Sequence, residues 1–245
     1  MAFDDNVFES SLLDYSGDFE KRDKELVKIQ IKEWIDEHCS FSANLESENL
    51  MKKDDESPDY EITDDLIINV FSNVNVRSDE NLPSIIKFGK VQESFFMMGQ
   101  KLTNTNGFPS DIKESLWLYD NAIEEITDFP DHIGGNCCLR HNKFKNLNGI
   151  TTNIDGNLDL CDNEDFDYSP RTDGKTINVG ISFYGSMDEK NIEKYKNKDA
   201  KYIGLAGDKE EANAAFAKYL DEVHCPISVG TKAKKGFIWH SKGDI

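Results

Sequence analysis

IKESLWLYDNAIEEITDFPDH (112–132), IGGNCCLRHNKFKNLNGITTN (133–153), IDGNLDLCDN (154–163): each line restates the one before it after 21 residues. Val91, Ile112, Ile133 and Ile154 share that step. Phe95, Leu116, Cys137 and Leu158 follow four positions later, and Met97, Leu118, Leu139 and Leu160 two beyond those. Gln100, Asn121, Asn142 and Asn163 come three further on. Leu102, Ile123 and Phe144 form another column, in which the next copy has Asp165. Late in each copy stand Phe108-Pro109, Phe129-Pro130 and Ile150-Thr151. A more degenerate copy begins at Val70, with Val74 and Val76 in the strand positions. A unit this small cannot bury an apolar face alone, whereas stacked copies can.

The shared pattern is L-x-L-x-x-N-x-L. In L-x-L the two apolar side chains leave one face of a short strand, because strands alternate with period two. The Asn sits where the chain turns away, with an amide that both donates to and accepts from backbone groups. The pattern resembles the leucine-rich repeat, in the short form found in proteins of tailed bacteriophages. The resemblance covers about residues 70–168, with Met97 and Cys137 replacing Leu and Gln100 replacing Asn. It implies an α/β fold: a solenoid with parallel strands on one side and loops or short helical turns on the other. It also implies a protein that recognises other proteins, host or viral, working in the host cytoplasm or in the virion.

Three segments are expected. Residues 1–60 are an acidic N-terminal segment. Within it EKRDKELVKIQIKEWIDEH (20–38) reads as a helix with Val27, Ile31, Trp34 and Ile35 on one face. Asp18 is its expected N-cap. This amphipathic helix is expected to cap the first repeat and cover Phe96 and Trp117, ahead of a polar linker over 42–60. Residues 61–170 are the solenoid. Residues 171–245 are read as a small C-terminal α/β domain: a strand over Thr176–Tyr184, and a helix from a capping box at Ser186 to about Tyr195. A strand over Lys201–Ala206, a helix after Asp208 and strands at 226–229 and 237–239 complete it.

If the core leucines point inward, the residues between them point outward. These are Phe96 and Met98, Trp117 and Tyr119, Cys138 and Arg140, Asp159 and Cys161. The expected partner-binding surface is Phe96, Met98, Trp117 and Tyr119 for apolar contact, with Arg140 and Asp159 for register.

No catalytic constellation is read, so no enzyme is expected. Cys137 and Cys138 are neighbours on opposite faces, and His132 and His141 lack metal-ligand spacing, so no metal is assigned. The run DLCDNEDFD (159–167) lacks the Gly and closing Glu of a calcium loop. GLAG (204–207) is no phosphate-binding fingerprint, and Glu210 and Glu211 would repel an anion. His224 and Cys225 are adjacent but need not meet, and Lys232, Lys234 and Lys235 read as a solvated turn. No cofactor is implied.

Charge narrows the partner. The chain of 245 residues carries a formal net charge of −19. Residues 1–60 have 7 basic and 17 acidic side chains, residues 61–170 have 8 and 19, and residues 171–245 have 13 and 11. Direct nucleic-acid binding by the first two segments is excluded by the shortage of phosphate-contacting Lys and Arg. No run of 18 apolar residues predicts a membrane span, and no basic n-region marks a secretory signal. Five cysteines without such a signal suit reduced thiols in a cytosol. The leading expectation is a non-enzymatic protein–protein interaction module. The alternatives are an acidic inhibitor imitating nucleic acid, which binds a DNA-binding host protein, and a structural virion component.

Overall fold

The structure is a computed structural model that describes residues 5–42, 58–186, 209–230 and 237–239. Helix α1 spans Asp5–His38 and runs directly into β1 (Cys39–Ser42). After β2 (Tyr60–Ile62) the chain winds as a parallel coil. Its first two levels are β3 (Ile68–Val70) with β4 (Asn73–Val76) and β5 (Phe88–Val91) with β6 (Phe95–Phe96). Then come β7 (Asp111–Ile112) with β8 (Leu116–Trp117), and a level where only β9 (Cys137–Cys138) is a full strand. Next are β10 (Asn153–Ile154) with β11 (Leu158–Asp159), and β12 (Ile177–Val179) with β13 (Phe183–Gly185). Helix α2 (Lys209–Glu222) precedes the last pair, β14 (Ile227–Val229) and β15 (Phe237–Trp239).

Two sheets run along the coil. One has eight strands in the order β1-β4-β6-β8-β9-β11-β13-β15. On it Val74, Phe95, Leu116, Cys137, Leu158, Phe183 and Phe237 stand in register. Leu118, Leu139 and Leu160, two residues further along each level, are all fully buried, so the inward column expected from L-x-L is present. The other sheet is β2-β3-β5-β7 at one end and β10-β12-β14 at the other. Single bridges Ile112–Ile133 and Ile133–Ile154 join the two parts. It stacks Val70, Val91, Ile112, Ile133, Ile154, Val179 and Val229. The expectation of loops or short helical turns behind a single sheet is therefore corrected. The leading Val or Ile of each repeat belongs to a second parallel sheet. A third, less regular side carries the bridges Asn104–Glu125 and Asn146–Asp167. On it Leu102, Ile123 and Phe144 are buried, while Asp165 turns out at φ 54° and Phe166 fills the core instead.

Two polar ladders fix the corners. After the strand, Asn142 Nδ2 donates to the carbonyls of Leu118 (2.9 Å) and Leu139 (3.2 Å), and its Oδ1 accepts the Ile123 amide (3.1 Å). Asn163 repeats this on Leu139, Leu160 and Phe144. Gln100, one methylene longer, accepts the Ser78 amide and donates to Met98. Before the strand, Asn73, Ser94, Ser115 and Asn136 each accept the backbone amide of the residue 21 further on, at 2.9–3.2 Å. Buried corner groups need such partners, because an unsatisfied one costs about 1–3 kcal/mol. The corner from the second sheet into the first is too tight for a side chain at some levels. A Cβ on Gly134 would lie 2.0 Å from the Lys113 carbonyl oxygen, and one on Gly180 1.9 Å from that of Asp155.

At the N-terminal end the strand direction reverses. β1 pairs antiparallel with β4, and β2 antiparallel with β3. Ile31 and Ile35 of α1 are buried in the same hydrophobic cluster as Val74 and Val76, with Val27 and Trp34 packed beside them. That is the helix face the sequence pattern selects. The helix is longer than 20–38 and passes through Asp18, which is therefore not its N-cap.

The segment after 170 also differs from expectation. Thr176–Tyr184 is not one strand: 177–179 joins the second sheet and 183–185 the first. β14 and β15 extend the same two sheets in parallel. The described strands of 171–245 therefore continue the coil and build no sheet of their own. α2 packs on it through Phe216, Tyr219 and Leu220, with Phe216 set edge-on to Tyr168 at 5.7 Å. The expected helix from Ser186, the strand over 201–206 and the Asp208 cap lie outside the described residues.

Candidate functional site

The outward residues of the eight-stranded sheet form two rows. One runs Asn75, Phe96, Trp117, Cys138, Asp159, Tyr184 in strict register. The other holds Met98, Tyr119, Arg140 and Cys161, two residues further along each level. All six residues of the expected contact surface thus share one face, with Phe96, Met98, Trp117 and Tyr119 at neighbouring levels and Arg140 and Asp159 beyond them.

Their environment is tighter than an open surface. Each of the six is half-buried. Parallel strands lie about 4.8 Å apart, so a large side chain covers the flanks of those one level away. Phe96 and Trp117 show this directly, with ring planes 2° apart and centroids at 6.4 Å. The small Cys138 and Cys161, expected to be outward, are only 5% and 2% exposed. They sink between larger neighbours: Cys138 Sγ lies 4.0 Å from Asp159 Oδ2, and Asp159 Oδ1 accepts the Cys161 amide at 3.0 Å.

This burial governs thiol chemistry. Desolvation, reinforced by the Asp159 carboxylate, pushes the Cys138 thiol up to about 12. The same two causes raise Cys161 further, and burial raises Cys137 well above its ordinary value. Cys225 is pushed up to about 12 by burial, and the adjacent His224 is exposed in a left-handed turn (φ 55°). Thiols held this far from ionisation are poor nucleophiles at neutral pH. Among the described residues, no group of three or more His, Cys, Asp or Glu side chains is placed to hold a metal ion. His132 lies between Asp111 (3.8 Å) and Asp155 (3.1 Å), and His141 beside Asp162 (3.3 Å), each as a surface pair. The GLAG segment at 204–207 and Lys232, Lys234 and Lys235 lie outside the described residues. No described helix is long and apolar enough to cross a membrane.

Comparison with protein families, with curated proteins and with solved structures finds no match.

One column next to the rows escapes the repeat pattern as read from apolar residues alone. Gly99, Asp120, His141 and Asp162 all take positive φ, at 66°, 58°, 51° and 59°. Each stands just before the ladder Gln or Asn. Gly, Asp, Asn and His are the residues that tolerate this conformation, so the signal was chemical type rather than hydropathy. The turn lifts the chain off the sheet and forms the rim of the candidate face beside Met98, Tyr119, Arg140 and Cys161.

Proposed function

We propose that this chain is a non-enzymatic protein–protein interaction module whose contact surface is the outer face of the eight-stranded sheet. Phe96, Met98, Trp117 and Tyr119 supply apolar area, and Arg140 and Asp159 fix the register of the partner. The observation that carries the reading is the parallel Phe96–Trp117 pair, held between backbone ladders on both sides. Aromatic side chains already packed lose little rotamer freedom on binding, which favours them as anchors. The partner is a protein with an apolar patch rimmed by basic groups, because the chain it meets carries a net charge of −19. Following the leucine-rich-repeat resemblance, the chain is phage-encoded, and the partner is a host or viral protein met in the host cytoplasm or the virion. On this reading α1 and β1 close the N-terminal end of the coil and leave the sheet face for the partner.

The test compares wild type with the double variant Trp117→Ala/Tyr119→Ala in affinity capture from bacterial lysate. Direct titration of each recovered protein follows. Both side chains are half-exposed, so the variant keeps the inward column intact. Loss of a partner in the variant, restored by Trp117→Phe, supports the site. Equal recovery of every partner sinks it. Binding that ignores the aromatic change but collapses with salt points instead to the acidic, nucleic-acid-imitating reading.

A further inference from the structure

Trp117 has one covered face and one open face. Phe96 and Trp117 are paired across β6 and β8, and their ring planes lie 2° apart. Parallel rings on paired residues of a ladder face each other along the coil, so Phe96 covers one side of the indole. The other side looks toward the next level. There the row holds Cys138, and the level after that holds Asp159. Trp117 and Asp159 are thus two ladder steps apart, about 9.6 Å, with only a thiol side chain between them. Cys138 Sγ lies 4.0 Å from Asp159 Oδ2 and the residue is buried, so the interval has a closed floor. A planar cation laid on that floor fits the interval. It stacks on an aromatic face at about 3.5–4 Å and meets a carboxylate at about 2.8 Å, roughly 6.5 Å in all. The remaining ~3 Å lets either side chain lean.

The electrostatics of the interval select the sign of its occupant. Asp159 Oδ1 accepts the Cys161 amide at 3.0 Å, whereas Oδ2 faces the Cys138 thiol, a weak donor. That oxygen keeps its capacity to accept a stronger bond. Arg140, in the neighbouring row, has its Nη2 3.5 Å from His141 Nε2. The floor feels a net negative field. Besides burial, the Asp159 and Asp120 carboxylates raise the Cys138 thiol, and only the Arg140 amide and guanidinium oppose them. A cation brought to this place is therefore attracted, and an anion is repelled. Shape then separates the two cationic side chains of proteins. An ammonium reaches the carboxylate but has no plane to lay on the indole, whereas a guanidinium has both. Met98 and Tyr119 beside the interval are apolar or aromatic, so this cation arrives with apolar neighbours, as on the surface of a protein.

We propose that Trp117, Cys138 and Asp159 form a seat for an arginine side chain of the partner protein. Its guanidinium stacks on the open face of Trp117, lies over Cys138 and donates to Asp159 Oδ2. This rests on the sheet face being the contact surface, and it names the group that the face reads. The probe is N-acetyl-arginine amide, titrated into the isotope-labelled full chain, with the lysine and citrulline counterparts alongside. The indole N–H resonance of Trp117 is assigned by its disappearance in Trp117→Phe. Arginine is expected to shift that resonance along a saturating curve at millimolar concentrations. Lysine is expected to bind several-fold more weakly, and uncharged citrulline to leave the resonance in place. Asp159→Asn keeps an acceptor for the Cys161 amide, so its circular dichroism spectrum is expected to be unchanged and its arginine curve several-fold weaker. No saturating shift with arginine, equal curves for arginine and lysine, or an unchanged arginine curve in Asp159→Asn would each overturn the seat. Lysate capture separates this outcome from the wider reading. Partners lost by Trp117→Ala/Tyr119→Ala but all retained by Asp159→Asn would remove the arginine seat and leave the contact face standing.

Discussion

Consider removing the amide of Asn142. The side chain is 5% exposed and makes contacts of two kinds. Its Nδ2 donates to the Leu118 carbonyl, which Asn121 also serves at 3.0 Å, and to the Leu139 carbonyl, which Asn163 serves at 3.1 Å. Those acceptors keep a partner in Asn142→Ala. The Ile123 amide does not, because it donates to Asn142 Oδ1. The variant therefore loses hydrogen bonds worth about 1 kcal/mol and strands a buried donor at about 1–3 kcal/mol, so the expected cost is about 2–4 kcal/mol. Asn121→Ala is the matched control. Asn121 donates to Met97 and Leu118 in the same way, but its Oδ1 accepts nothing. Its removal strands no amide but deprives the buried Met97 carbonyl of its Asn121 donor, and is expected to cost about 1–2 kcal/mol. Urea unfolding followed by far-ultraviolet circular dichroism separates the two. With an m-value of about 3 kcal/mol/M, the midpoint falls by about 1 M for Asn142→Ala and by about 0.3–0.7 M for Asn121→Ala. Asn142→Asp keeps an acceptor for Ile123 but turns a carboxylate toward two carbonyls, so it is expected to be at least as damaging at neutral pH. Equal midpoint shifts for the two alanine variants would refute the claim that the accepted amide, and not the donated pair, dominates the ladder.

Other outcomes follow from single contacts. Gly180→Ala is expected to lower the melting temperature strongly, because its Cβ would sit 1.9 Å from the Asp155 carbonyl oxygen. Gly99→Asn is expected to leave it nearly unchanged, since no atom lies within 4 Å of a Cβ there and the φ of 66° suits Asn. The Arg171 guanidinium, donating to both carboxylate oxygens, and the Lys175 amide hold Asp173 down to about 2. A depressed carboxyl contributes stability above its ordinary value of 3.8, and that contribution is lost as pH falls from there through about 2. Asp173→Asn should flatten the acid limb of the stability curve in that window and leave the neutral limb parallel. Iodoacetamide at neutral pH is expected to alkylate Cys137, Cys138 and Cys161 far more slowly in the native protein than in urea; labelling of Cys138 at the rate of a free thiol would contradict the burial described.

The repeat was legible because its apolar columns keep a constant 21-residue step from Val70 to Ile154. The second sheet was not, since it draws only one or two residues from each of the three levels at Ile112, Ile133 and Ile154, and a lone Ile133 cannot display alternation. The pre-strand ladder was hidden by its mixed composition. Asn73, Ser94, Ser115 and Asn136 look unrelated by hydropathy, yet each presents an oxygen to the same amide. After Ile154 the step lengthens to 25 residues at Val179 and to 50 at Val229, so the last levels read as a separate domain. The coil tolerates this because the extra residues leave after one strand and return before the next, and register is set by backbone pairing rather than by chain length. Of the contact surface, the common face of the six residues was readable from period two. The depth to which Cys138 and Cys161 sink was not, because it depends on the size of neighbours one level away.

The reversed strands at the start of the coil bear on self-templating. A stack of parallel levels offers its last backbone ladder to any chain able to continue it, which is how fibres grow. Here the terminal strands β1 and β2 run the opposite way to everything beneath them. A second coil stacked in the same sense would meet β1 and β2 antiparallel, so the parallel ladder of the levels would not run on unbroken into it on either sheet. The molecule thus ends its own parallel periodicity by a change of polarity, at the same end where α1 packs Ile31 and Ile35 into the core.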